Sequence, residues 1–130
     1  MFIPFSERRR GALPYQRSVM HKQASDFQVL SECANGYIGV CACCREFNFV
    51  YKNLLLAFPE DEMFRFCRWL SESADNPANR LVLRHGRDRV YASPLSNFYL
   101  SFNAEELEEI EQMTAEAELL WQARRIARNL

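Results

Sequence analysis

The sequence predicts an α+β domain: a mainly antiparallel sheet with two helices on one face, built from a degenerate β-β-β-α repeat. Three observations predict it. Short strand-like runs between residues 27 and 58 are separated by tight turn signals. Two stretches, near residues 59–73 and 104–127, place apolar residues at helical spacing. A shift of 44 residues also lays "NLLLAFPEDEMFRF" on "NFYLSFNAEELEEI", so that Asn53 meets Asn97, Phe58 meets Phe102 and Glu62 meets Glu106. Each unit would have one apolar sheet face and one apolar helix stripe to bury, and pairing the helices against a joint sheet buries both.

The elements follow in order. Residues 1–22 read as a flexible basic tail, with Arg8, Arg9, Arg10, Arg17 and Lys22 against Glu7. Residues 23–130 form one domain, with pseudo-repeats at about 37–73 and 81–117. "DFQVLSEC" and "YIGVC" are strands around Asn35-Gly36, a strong hairpin signal. "REFNFVY" and "LLLAF" are strands around Lys52-Asn53. Pro59 suits a first helical turn, with Glu60, Asp61 and Glu62 at its positive end. Met63, Phe66, Cys67 and Leu70 are the buried stripe of that helix. "RLVLRHGRDRVY" reads as a hairpin turning at residues 85–88, and "NFYLSF" as a strand. Asn103 and Glu106 make a capping box for the last helix. Its stripe is Leu107, Ile110, Met113 or Thr114, Ala117, Leu120 and Trp121.

Composition limits the function classes. The chain has 130 residues, 48% apolar and 25% charged, with a net charge of −1. That is ordinary globular composition, with no global pull toward nucleic acid or anionic membrane. No apolar run has the length of a spanning helix or a signal peptide. The expected location is therefore the cytoplasm, where five cysteines read as reduced, metal-bound or redox-active before they read as disulfides.

Three cysteines fall in "VCACCRE". With Asn35-Gly36, Ala42-Cys43 and Lys52-Asn53 as two-residue turns, Cys33 lies opposite Ile38, Leu30 opposite Cys41, and Cys41 opposite Cys44. Phe47 then faces Ile38 and Phe58, and Phe49 faces Leu56. One sheet face becomes Ile38, Phe47, Phe49, Tyr51, Leu54, Leu56 and Phe58, the face for the helices. Cys41 and Cys44 fall on the other face with Tyr37, Asn48 and Val50. A C-x2-C pair on a hairpin turn is half of a zinc knuckle, and zinc is the cofactor it would suit. Cys33, Cys43 and His85 are the candidate further ligands, or a second copy supplies two more thiolates across a two-fold axis. Packing and thiol redox chemistry remain alternatives. The pair lies on a strand turn and not at the helix N-terminus that lowers a thiol pKa.

No phosphate loop, dinucleotide fingerprint, zinc-protease motif or nucleophile elbow is present, and no catalytic residue is assigned. Glu105, Glu106, Glu108, Glu109 and Glu111 read as a solvated helix face. Arg80, Arg84, Arg87 and Arg89, with Tyr91 and Tyr99, form a candidate anion or nucleic-acid patch.

The run "NGYIGVCACCREFNFVYKNLLLAFPEDEMFRFCRWL", with Cys41, Cys44, Phe47, Phe49, Asn53 and Phe58 as its matching positions, resembles a family of small uncharacterised bacterial proteins, chiefly from Bacteroidetes. A weaker second half, like "NFYLSFNAEELEEI", also fits. The resemblance covers about residues 26–125. It implies the architecture and no established activity. The expected function is a small cytoplasmic binding or adaptor domain, with a metal at Cys41 and Cys44. A thiol redox protein and a nucleic-acid binder are the alternatives. A homodimer is expected because Tyr37, Val50 and Leu55 would leave an apolar patch on the face away from the helices. The unknown ligand is a protein or a small molecule.

Overall fold

Alternation of apolar side chains over residues 27–58 produces a four-stranded antiparallel meander in the computed structural model, which describes residues 27–128. Its strands are β1 (Phe27–Cys33), β2 (Gly36–Cys41), β3 (Glu46–Tyr51) and β4 (Leu54–Pro59). Helix α1 (Glu60–Glu72) follows without a loop, with Pro59 at its N-cap and three acidic residues in its first turn. A short 3-10 turn (Pro77–Asn79) leads to β5 (Arg89–Ala92) and β6 (Tyr99–Phe102), and α2 (Ala104–Arg128) completes the described chain. The basic tail, His21 included, lies outside the described residues.

The expected inner face is the core. Ile38, Phe47, Phe49, Tyr51 and Phe58 are buried, and Leu54 and Leu56 pack at its margin. Helix α2 covers β1 and β2, and α1 covers β3 and β4. The rings interlock edge-on. Phe47 lies 5.7 Å from Phe64 and 5.0 Å from Trp121, and Phe49 lies 5.9 Å from Phe66. Such pairs favour one arrangement beyond the area they bury. The α1 stripe of Met63, Phe66, Cys67 and Leu70 is buried as expected. In α2, Met113 and Thr114 are both buried, whereas Leu120 is exposed.

The register differs from the expectation at two turns. The first hairpin turns on Ala34-Asn35, with Cys33 opposite Gly36 instead of Ile38. Gly36 is needed in the strand, not the turn: a Cβ there would lie 1.9 Å from the Val50 carbonyl oxygen. The pairing also shifts between Val29 and Ser31, a bulge that turns both Leu30 and Ser31 inward. Phe27, rather than Leu30, therefore faces Cys41, and its ring lies over Gly39. At the second turn Val40 pairs with Phe47 and Ile38 with Phe49. Residues 42–45 form a longer loop, closed by the Arg45 N–H on the Cys41 carbonyl at 2.7 Å, so Cys41 and Cys44 do not pair across a two-residue turn. This slip is two residues, which preserves the faces. The third turn, Lys52-Asn53, is as expected, with Phe47 opposite Phe58 and Phe49 opposite Leu56.

The second half forms its own two-stranded sheet and does not extend the first. The segment before β5 is strand-like only at the Arg80–Arg89 bridge, and Val82 is 95% exposed. Its turn closes earlier than expected, with the Gly86 N–H on the Leu83 carbonyl. The hairpin joins the core through Tyr91, whose hydroxyl donates to the Leu70 carbonyl at 2.6 Å. Both halves thus run hairpin then helix, but the second lacks a counterpart of β2.

Candidate functional site

A meander puts its first and third turns at one end of the sheet and its second at the other. The chain accordingly has two candidate sites at opposite ends.

The first is a cleft of about 290 Å3 lined by Lys52, Asn53, Leu54, Arg87, residues 98–102 and Glu106. Glu106 organises it. The capping box forms as the sequence predicts: the Glu106 N–H donates to Asn103 Oδ1 at 2.8 Å, and the Asn103 N–H donates to Glu106 Oε1 at 2.9 Å. The same carboxylate also accepts from Lys52 Nζ, and from Arg87 Nε at 3.0 and 3.1 Å. One side chain in the first turn of α2 therefore ties the β3–β4 turn and the loop before β5 to that helix. Burial would raise the Glu106 pKa, but the hydrogen bonds from Arg87, Lys52 and the Asn103 backbone outweigh it and hold it at about 2. One turn further along α2, Glu109 accepts from the Tyr51 hydroxyl at 2.6 Å and from Asn35 Nδ2 at 2.7 Å. Those bonds hold its carboxyl below the usual range. The buried Tyr51 hydroxyl is pushed up in turn, first by burial and then by Glu109. Phe98 and Tyr99, 46% and 59% exposed, give the cleft an aromatic wall.

The second site is the loop after β2. Cys41 is buried but lies outside the core cluster, and Cys44 is half-buried. The Cys44 thiol hydrogen-bonds the Cys41 side chain; burial, with that neighbour adding to it, pushes the Cys44 pKa up to about 11. Arg45 takes a left-handed φ of 60°, and its guanidinium lies 3.8 Å from Glu60. Glu60 also accepts from Trp121 Nε1 at 2.6 Å and from Arg125 at 3.2 Å, so the loop is tied to both helices. The non-glycine residues with positive φ among those described are Arg45 and Lys52, one at each site. Backbone strain of that kind clusters where a side chain is used.

The other anticipated ligands do not gather here. Cys33 lies at the cleft end, where its thiol donates to Met113 Sδ at 3.6 Å. Cys43 is exposed. His85 is exposed in its own turn, accepting from the Arg87 N–H at 3.2 Å. Cys67 is buried in α1, and its thiol is pushed up to about 12 by burial. Among the described residues no group of three or more His, Cys, Asp or Glu could hold a metal ion. The arginines divide as well. Arg80 and Arg89 both pair with Asp88, at 3.3 and 2.7 Å, while Arg87 turns to Glu106 and Arg84 is exposed. Tyr91 is fully buried, so Tyr99 is the tyrosine available to a ligand.

Sequence reasoning missed Lys52, Tyr51 and Asn35 as site residues and read Glu106 and Glu109 as solvated. The capping box marked Glu106 as having a partner, but its ion pairs join residues 54 and 19 positions away, and no local pattern carries those.

Fold and site together define an α+β domain with a polar, aromatic-walled cleft at one end of its sheet and a thiol pair at the other. The chain belongs to the family of unknown function DUF6686, whose profile matches residues 22–120. No curated protein and no solved structure matches it. Among the described residues no helix is long and apolar enough to cross a membrane.

Proposed function

We propose that the chain is a small binding domain whose ligand seats in the cleft around Lys52, Arg87 and Tyr99. The observation that carries this reading is the buried Glu106 carboxylate, which fixes two cations side by side on the cleft wall. Arg87 engages Glu106 through Nε, which leaves its terminal nitrogens to face a ligand, and Lys52 has further N–H donors. With Tyr99 and Phe98 beside them, the fitting ligand is a flat ring bearing a carboxylate or phosphate. An adaptor role would use the same surface for an acidic, aromatic segment of a protein. The protein works in the cytoplasm in this reading, as a monomer or as a homodimer through the sheet face bearing Tyr37, Val50 and Leu55.

The test is an amide NMR titration with a set of aromatic carboxylates. Shifts concentrated at Lys52, Arg87 and residues 98–102, and lost in Arg87→Ala, are expected. Shifts elsewhere, or none across the set, contradict the cleft as binding site.

A second reading is favoured by the hydrogen-bonded Cys41 and Cys44 side chains: the loop after β2 holds a metal, zinc being the ion first suggested by the C-x2-C spacing. Thiol exchange at the pair is the redox alternative, and the high pKa of Cys44 weighs against it, since the thiolate is the attacking species. Nucleic-acid binding through Arg80, Arg84, Arg87 and Arg89 is weakened by the pairing of three of these with Asp88 or Glu106.

A further inference from the structure

We infer that the Cys41–Cys44 pair is a two-coordinate site for a soft monovalent ion, copper(I) by chemistry, rather than half of a four-coordinate zinc site. This inference rests on the metal reading above and specifies the ion.

The donor set decides between the ions. Structural zinc is held by four ligands in a tetrahedron. Here two sulfurs lie close enough to hydrogen-bond, and no third His, Cys, Asp or Glu among the described residues completes a cluster with them. Cys33 is at the opposite end of the sheet, and His85 sits in the turn whose Arg87 is held to Glu106 at the cleft, so neither belongs to the loop that carries the pair. Cys43 lies between the two in sequence but points to solvent. A filled-shell monovalent ion is satisfied by two thiolates in line, and soft sulfur ligands select copper(I) over harder ions.

The loop is preorganised for that task. Its closure by the Arg45 N–H on the Cys41 carbonyl, and the left-handed turn at Arg45, fix the backbone between the sulfurs. The Arg45–Glu60 contact ties the loop to the N-terminus of α1. Cys41 is buried and Cys44 half-buried, so a bound ion is shielded on one side and reached from the other. On binding, both thiols release their protons to solvent and the ion takes their place, leaving a complex of one net negative charge. No electron is transferred, because copper enters and stays monovalent.

The experiment is an anaerobic competition in which the reduced full chain takes copper(I) from its bicinchoninate complex, followed by X-ray absorption of the loaded protein. One copper per chain and a two-sulfur shell are expected. Cys44→Ser should weaken uptake at least about tenfold, and Cys41→Ser likewise. Cys43→Ser should leave it unchanged. Because Cys41 is buried, unfolding of each variant is checked by circular dichroism, and the half-buried Cys44 carries the test if Cys41→Ser fails to fold. Zinc should bind more weakly than copper(I) under the same conditions. Zinc bound as tightly or more tightly, or a shell of three or four sulfurs shared between two chains, overturns this inference and leaves the metal reading standing. An equal loss in Cys43→Ser overturns the assignment of the pair. Uptake of neither ion overturns both.

Discussion

Replacing Glu106 by Gln lowers the stability of the domain by about 2 kcal/mol at neutral pH. A pKa held at about 2 against an ordinary 4.5 corresponds to roughly 3 kcal/mol of preferential stabilisation of the charged form. Lys52 and Arg87 are 37% and 39% exposed, so solvent screening reduces this to about 2 kcal/mol. Glutamine can still accept in the capping box, so Glu106→Gln isolates the ion pairs, and Glu106→Ala should cost about 1 kcal/mol more through the lost cap. For a domain of this size, about 2 kcal/mol lowers the melting temperature by roughly 10 °C. The pH dependence has a definite sign. The folded-state pKa is depressed, so the advantage over Glu106→Gln is complete above the unfolded value near 4.5 and is lost as pH falls through about 2. Urea unfolding at pH 7, 4 and 2.5 checks this; a gap that stays constant with pH would show that the loss is not electrostatic.

Gly36→Ala is expected to be more damaging still, at about 3 kcal/mol or more, although it adds one methyl group in an ordinary strand. The added Cβ would meet the Val50 oxygen at 1.9 Å, the Val50 carbonyl carbon at 2.8 Å and Tyr51 Cα at 2.9 Å. All three belong to the β3 backbone, so relief requires β2 and β3 to separate. Separation would strain the Lys52 N–H bond to the Asn35 carbonyl, 2.7 Å long, and with it the cleft end of the sheet. Gly39→Ala is a useful contrast. Its closest obstruction, at 2.5 Å, is the tip of the Phe27 ring at the start of β1, though the Gln28 carbonyl at 2.9 Å also resists. A smaller loss is expected there. Chemical denaturation of both variants measures the difference, and a Gly36→Ala protein as stable as its parent would contradict this packing.

The inner face was legible because it depends on parity alone. Phe47, Phe49 and Phe58 fall on it under either register of the second turn, since a two-residue slip returns each side chain to the same side. The helices were legible for a similar reason. Their stripes repeat at a local spacing, and Asn103 with Glu106 marks where α2 begins. The turns were harder. Asn35-Gly36 resembles a hairpin tip, but Gly36 is required by the close approach of β3, a strand still ahead in the chain. The loop at residues 42–45 has no glycine to announce it, and Arg45 takes the left-handed conformation instead. The cleft was least legible. Its charges meet through pairs such as Lys52–Glu106 and Tyr51–Glu109, set by how α2 lies across the sheet, and composition made the acidic helix look uniformly solvated.

The cleft depends on Glu106 being charged while buried between two cations. The direct measurement is an NMR titration of its side-chain carboxyl carbon in the folded protein. A midpoint near 2 is expected. A midpoint near 4.5 would mean that Lys52 and Arg87 do not hold the carboxylate, and the site built on it would not exist.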